Sequence, residues 1–170
     1  MKKGFTLIEI IVSISLFMIL LLFLYHSLNV TKSSNNFYET KLDNLNKINS
    51  FKSILYEDIA QSSNVEIFFD AKGESILKLI SSNLFHNLFY KHITYVLNKK
   101  GELIRIESFD KFNEKELLDS FFDEAYLDIV FNDIDKFKIT PSKSNQNIYS
   151  IFLRKKNGEI VFFNTLSISK

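Results

Sequence analysis

The apolar run from Ile10 to Tyr25, broken only by Ser13 and Ser15, constrains this chain more than any other stretch. Lys2, Lys3 and Gly4 precede it, and one carboxylate, Glu9, sits at its start. From Phe5 to Tyr25 the chain is long enough, at about 1.5 Å of helical rise per residue, to cross the roughly 30 Å hydrocarbon layer of a bilayer. Ordinary secretory signals have shorter apolar cores, end at a small-residue cleavage site and carry no acid inside. A carboxylate within a bilayer helix costs about 2.5–3.5 kcal/mol on insertion scales, so Glu9 needs a partner. A plain signal anchor with its acid near the headgroups is the simpler alternative. The two lysines hold the N-terminus in the cytoplasm by the positive-inside tendency, which puts everything after Tyr25 on the other side.

Lys3-Gly4-Phe5-Thr6-Leu7-Ile8-Glu9 resembles the class III signal of type IV pilins and type II secretion pseudopilins. That resemblance implies cleavage by prepilin peptidase between Gly4 and Phe5 and N-methylation of Phe5. It also implies that the Glu9 carboxylate faces the cationic N-terminus of the next subunit, so that pairing offsets the desolvation of both charges. Major pilins often carry a kinking proline at the position held here by His26, which leans the expectation toward a pseudopilin or minor subunit.

Beyond the span, Leu42, Leu45, Ile48, Leu55 and Ile59 recur at intervals of three, four and seven, widened by Phe51 and Ile54. Lys41, Asp43, Asn46, Asn49, Lys52 and Glu57 mostly populate the other side. No glycine or proline interrupts Phe5 to Ala60. The pattern predicts one helix on the order of 80 Å long, half in the membrane and half packed on a sheet, ended by Gln61-Ser62-Ser63-Asn64.

After Asn64 short strands take over: Val65 to Phe69, Ile76 to Ile80, Ile93 to Leu97, Leu103 to Ile106, Tyr126 to Phe131, Phe137 to Ile139, Tyr149 to Leu153 and Ile160 to Leu166. Asn98-Lys99-Lys100-Gly101 and Lys155-Lys156-Asn157-Gly158 read as hairpin turns, the latter an Asn-Gly tight turn, and Asp70-Ala71-Lys72-Gly73 as a further turn. Asn113-Glu114-Lys115-Glu116 reads as the cap of a short helix. In the fifth strand Leu127, Ile129 and Phe131 alternate with Asp128, Val130 and Asn132 and mark a drier face. The expected fold is α+β, a long N-terminal helix on antiparallel sheet. The organisation is a leader at 1–4, a membrane helix at 5–25, its continuation at 26–60 and a periplasmic α+β domain at 61–170.

A second resemblance spans most of the chain. Ile54 to Gln61, which includes Asp58, then His92-Ile93-Thr94-Tyr95-Val96-Leu97 and Leu103-Ile104-Arg105, are similar to J-type minor pseudopilins. Those hold an aspartate near the helix end and a tyrosine strand joined by a turn to a strand ending in arginine.

Sites for chemistry are sparse. The chain has no cysteine, which excludes disulfides and thiolate chemistry. His26, His86 and His92 lack zinc-site spacing, and the latter two read as exposed loop residues near Phe85 and Phe89. Asp119, Asp123, Glu124, Asp128, Asp133 and Asp135 lack the grammar of a calcium loop and read as a solvated edge. No nucleotide-binding glycine pattern or nucleophile motif is present, so neither an enzyme nor a cofactor or metal is expected. Net charge is +1. Lys99-Lys100, Lys155-Lys156 and Arg105 could gather near DNA, but lysine pairs at hairpin tips are commonly solubility features, and direct nucleic-acid binding is not expected. The doublets Phe68-Phe69, Phe121-Phe122 and Phe162-Phe163 place neighbouring rings on opposite strand faces and suggest a surface for sister subunits.

The resulting expectation is a minor pseudopilin. Its partners would be other pilins or pseudopilins, the prepilin peptidase, and, indirectly, an assembly platform protein and ATPase. It would be anchored in the inner membrane and serve type II secretion or DNA uptake in natural transformation. A minor subunit of a type IV pilus and a membrane-tethered binding domain that never assembles are the alternatives.

Overall fold

The computed structural model describes residues 6–113, 119–144 and 147–168, with only the backbone of Asp119 and Ser120. The elements run α1 (Leu7–Ala60), β1 (Ser62–Phe69), β2 (Ser75–Ser81), β3 (His92–Leu97), β4 (Leu103–Ser108), α2 (Asp119–Asp123), β5 (Tyr126–Phe131), β6 (Ile134–Pro141), β7 (Ile148–Lys155) and β8 (Ile160–Leu166). This is the long helix followed by antiparallel strands that the sequence predicts. The chain divides into two compact units, Met1–Asn46 and Lys47–Lys170.

In the first unit the described residues are helical from Leu7 onward. Ser15, Thr31 and Thr40 each return their hydroxyl to the carbonyl four residues earlier, at 2.8, 2.9 and 2.9 Å. Polar side chains therefore sit in this helix without competing for its ladder. Its apolar side chains, from Leu7 through Leu28, are all exposed. Leu42 and Leu45 are exposed too, so the packed stripe begins at Ile48, later than its periodicity suggested.

The second unit is organised by the last turns of α1. Ile48, Phe51, Leu55, Asp58 and Ile59 are its buried helical residues. Burying each large apolar side chain is worth roughly 1.5–3 kcal/mol relative to leaving it in water. Phe51 meets Phe131 and Phe163 edge-to-face, at 5.6 and 6.0 Å between ring centres. One aromatic side chain thus ties the helix to both sheets.

Where a single sheet was expected, the strands form two. β1 to β5 make a five-stranded antiparallel sheet in sequence order, and β6 to β8 a three-stranded one. The N–H groups of Phe137 and Ile139 on β6 reach the Glu74 carboxylate and Ser75 hydroxyl at 2.6 and 2.9 Å. Side chains satisfy the edge of β6 at these points, so the sheets meet without sharing a ladder.

The turns β1–β2, β3–β4 and β7–β8 share one construction. In each a glycine N–H bonds back three residues, as Gly101 does to the Asn98 carbonyl at 3.1 Å, and a glutamate follows the glycine. The Asn157-Gly158 turn is not the doubly positive-φ type, because only Gly158 has positive φ; it is a type I turn closed by a left-handed glycine. At Gly101 (φ 86°) a Cβ would lie 2.6 Å from the Ile134 carbonyl oxygen, so the position needs glycine for conformation and for space.

β5 reverses the predicted facing. Leu127 and Ile129 are 45 and 55 % exposed and point away from the helix, while Asp128 opposite Arg105 faces it. A register shift between Leu103 and Ile104 then turns Phe131 inward onto Phe51. A bulge changes the parity of a strand, which alternation cannot reveal. Of the predicted cap on α2, residues 114–118 lie outside the described residues.

Candidate functional site

Two carboxylates of α1 define the candidate sites. Gly4 and Phe5 lie outside the described residues, but Glu9 is described. Its carboxylate accepts from the Thr6 N–H at 2.8 Å and the Thr6 hydroxyl at 3.0 Å, while the Glu9 N–H reaches the Thr6 hydroxyl oxygen at 3.4 Å. This is a capping box, Thr-x-x-Glu, in which each side chain satisfies an orphan donor of the other residue. The spacing of Thr6 and Glu9 carried that signal in the sequence, and only Glu9 had been singled out. The box gives Glu9 a local partner, and none of the described residues brings it an opposite charge.

Asp58 is a different case. It is fully buried at the end of α1 and accepts from the Tyr95 hydroxyl at 2.6 Å, Arg105 Nε at 2.7 Å and Nη2 at 3.1 Å, and Asn83 Nδ2 at 2.7 Å. Arg105, also fully buried, turns its other amino group to Glu107 and donates from Nη2 to the Asn83 carbonyl at 2.8 Å. Glu107 in turn accepts the Phe85 and His86 N–H groups at 2.8 and 3.1 Å. Burial opposes the charge on Arg105, yet the hydrogen bond and field of Asp58, then the field of Tyr95 and the hydrogen bond to Glu107, raise its pKa above the usual guanidinium value. Burial first, and Asp58 second, push the Tyr95 hydroxyl well above its ordinary pKa. A fully bonded cluster of this kind fixes one arrangement of its members, because any missing partner leaves a buried charge uncompensated.

Three members of this cluster, Asp58, Tyr95 and Arg105, are residues on which the second resemblance in the sequence was drawn. Glu107 and Asn83 were not foreseen. Charged strand residues are ordinarily exposed, so nothing in the spacing of Glu107 announced its burial.

The remaining candidates separate. His86 is the exposed loop residue expected, and it is bonded to Asp128 at 2.8 Å and stacked on Tyr126 at 4.6 Å. His92 begins β3, half-buried, and its pKa is lowered chiefly by burial. Asp135 pairs with Arg154, and Asp133 occupies a turn with φ of 60°. Lys156 does approach the other lysine turn, 2.7 Å from the Lys100 carbonyl. Lys155, by contrast, is buried against Glu159 and the Phe131 ring, and Arg105 is nowhere near solvent.

Residues 1–25 match the prokaryotic N-terminal methylation motif. The match covers the leader, Thr6, Glu9 and the apolar run, and it supports a pilin- or pseudopilin-type subunit. Such a motif implies processing by prepilin peptidase and assembly with other pilin-type subunits. No curated protein and no solved structure matches the chain.

Proposed function

We propose that this chain is a minor pseudopilin, a structural subunit that nucleates or caps a short periplasmic fibre for type II protein secretion or for DNA uptake. The observation that carries the reading is the methylation motif at residues 1–25, set on a helix long and apolar enough to cross a membrane. In this reading prepilin peptidase cuts after Gly4, Phe5 becomes the methylated amino terminus, and residues beyond the span lie in the periplasm. Neighbouring helices then bury the exposed apolar side chains of the first unit. Glu9 exchanges its local Thr6 partner for the cationic terminus of the next protomer, which supplies the opposite charge that none of the described residues brings it. The chain performs no chemistry; its work is mechanical.

Mass spectrometry of the membrane-extracted protein tests the first step. Wild type should begin at a methylated Phe5, and Gly4→Leu should remain uncut and begin at Met1. A Gly4→Leu product beginning at Phe5 would overturn the processing scheme.

A further inference from the structure

The net charge of +1 hides an uneven division of charge along the chain. Residues 1–133 carry fourteen basic and eighteen acidic side chains, whereas residues 134–170, which supply the three-stranded sheet, carry seven basic and two acidic. Both of those acids are engaged, Asp135 with Arg154 at 2.8 Å and Glu159 with Lys155 at 2.9 Å. The excess positive charge is left to lysines, and the strands decide where it is displayed.

Side chains alternate between the two faces of a sheet. Phe137, Ile139, Ile151, Leu153 and Val161 turn one face of the three strands into the core. The residues between them lie on the other face. There the register sets Lys138, Phe152 and Phe162 side by side across β6, β7 and β8, with Lys136, Arg154 and Ile160 in the adjacent row. Phe162 is 60 % exposed. Lys136 and Lys138 meet no acid among the described residues. Cations thus border a pair of rings on an open sheet.

This juxtaposition suits a ligand that is itself part flat ring and part anion. Bases stack on aromatic side chains whatever their identity, while phosphates follow the neighbouring cations. Lys136 and Lys138 stand two residues apart on one strand, about 6.8 Å, twice the roughly 3.4 Å per-strand charge step of a stacked duplex. That separation matches a strand drawn out of its stack, whose splayed bases are free to meet a side-chain ring.

We propose that this face of the three-stranded sheet binds single-stranded nucleic acid, with Phe152 and Phe162 as base platforms and Lys136 and Lys138 as phosphate contacts. The lysine pairs at the turns, from which no such binding was expected, play no part in it. Lys155 is buried, and Lys156 is bonded to the Lys100 carbonyl at 2.7 Å. The face belongs to the single chain, so the inference goes beyond the assembly reading and stands without it.

Fluorescence anisotropy of a fluorescein-labelled oligothymidylate, titrated with the detergent-solubilised full-length protein, tests the assignment. Heparin serves as a polyanion without bases, and vesicles containing phosphatidylglycerol as an anionic lipid surface. The expected result is oligonucleotide binding that resists heparin better in wild type than in Phe162→Ala and is weakened roughly tenfold by that substitution. Lys136→Gln and Lys138→Gln together should make the fall of log affinity with log salt shallower by about 1.4. An unchanged denaturation midpoint shows that the variants fold, and Phe162→Leu, which keeps apolar bulk without the ring, replaces Phe162→Ala if that one does not. A wild-type protein that leaves the oligonucleotide free would overturn the proposal. So would binding that the ring substitution leaves unchanged and heparin displaces equally, since charge alone would then explain it. Vesicle binding without oligonucleotide binding would overturn it as well, by making lipid the occupant.

Discussion

Glu9 and Asp58 are carboxylates on one helix, and they differ in where their partners come from. Asp58 has its cation, its phenol and its amide within the chain, folded around it from β3, β4 and the loop after β2. Among the described residues Glu9 has only Thr6, three residues away, and an apolar surface around it that none of them covers. The same contrast separates Leu55 and Ile59, fully buried, from Leu42 and Leu45, exposed. One part of α1 is a finished core element, whereas the other presents what a core element would bury. The lesson is that a helix can be specified in sequence by two different sets of partners, those of its own chain and those of others.

Breaking the Asp58 cluster should show the largest stability change. Asp58→Ala leaves Arg105 buried without its main counter-charge, a loss of about 3–5 kcal/mol, read as a lower denaturation midpoint of the detergent-solubilised protein. Glu9→Ala, by comparison, should leave that midpoint unchanged.

Phe51→Ala and Leu45→Ala sharpen the same contrast among apolar residues. The first opens a cavity under both sheets and should cost about 3–5 kcal/mol. The second removes an exposed side chain and should stay within about 0.5 kcal/mol in the monomer. Equal effects would erase the distinction between the two parts of α1.

The sequence made some of this visible. β5 and β8 have the predicted bounds, each closing on an apolar residue, Phe131 or Leu166, that a polar one follows. The helix end at Ala60 followed from the polar stretch after it. What periodicity could not convey was that Leu127 and Ile129 face the opposite way from Phe131, which depends on a register shift where β5 pairs with β4. Nor could it separate Ile48 from Leu45, which are equally apolar and differ only in what the fold brings against them. Glu9 was legible from its place in the apolar run; Thr6 was equally legible from its spacing. Asp58, Tyr95 and Arg105 stood out through family resemblance, since a buried arginine on a strand contradicts the ordinary expectation for charge.

Tyr95→Phe should have a smaller effect, about 1–3 kcal/mol, because it removes one hydrogen bond from a buried carboxylate that keeps its arginine. Its pH dependence is distinctive. The folded protein holds the Tyr95 proton more tightly than the unfolded chain, whose tyrosines titrate near the ordinary value of 10.0. The associated stability is complete below that pH and is lost as pH rises above it. The gap between wild type and Tyr95→Phe should therefore narrow in alkaline solution. A gap that stays constant through that range would contradict a raised Tyr95 pKa.

The central claim is that Glu9 finds its opposite charge on another subunit. Cysteine cross-linking at Leu16 in cells expressing the assembly machinery, compared between wild-type Glu9 and Glu9→Val, tests it most directly. The account predicts multimers with Glu9 and their loss with Glu9→Val, while both proteins remain in the membrane and are cut after Gly4. Undiminished multimers of Glu9→Val would contradict it.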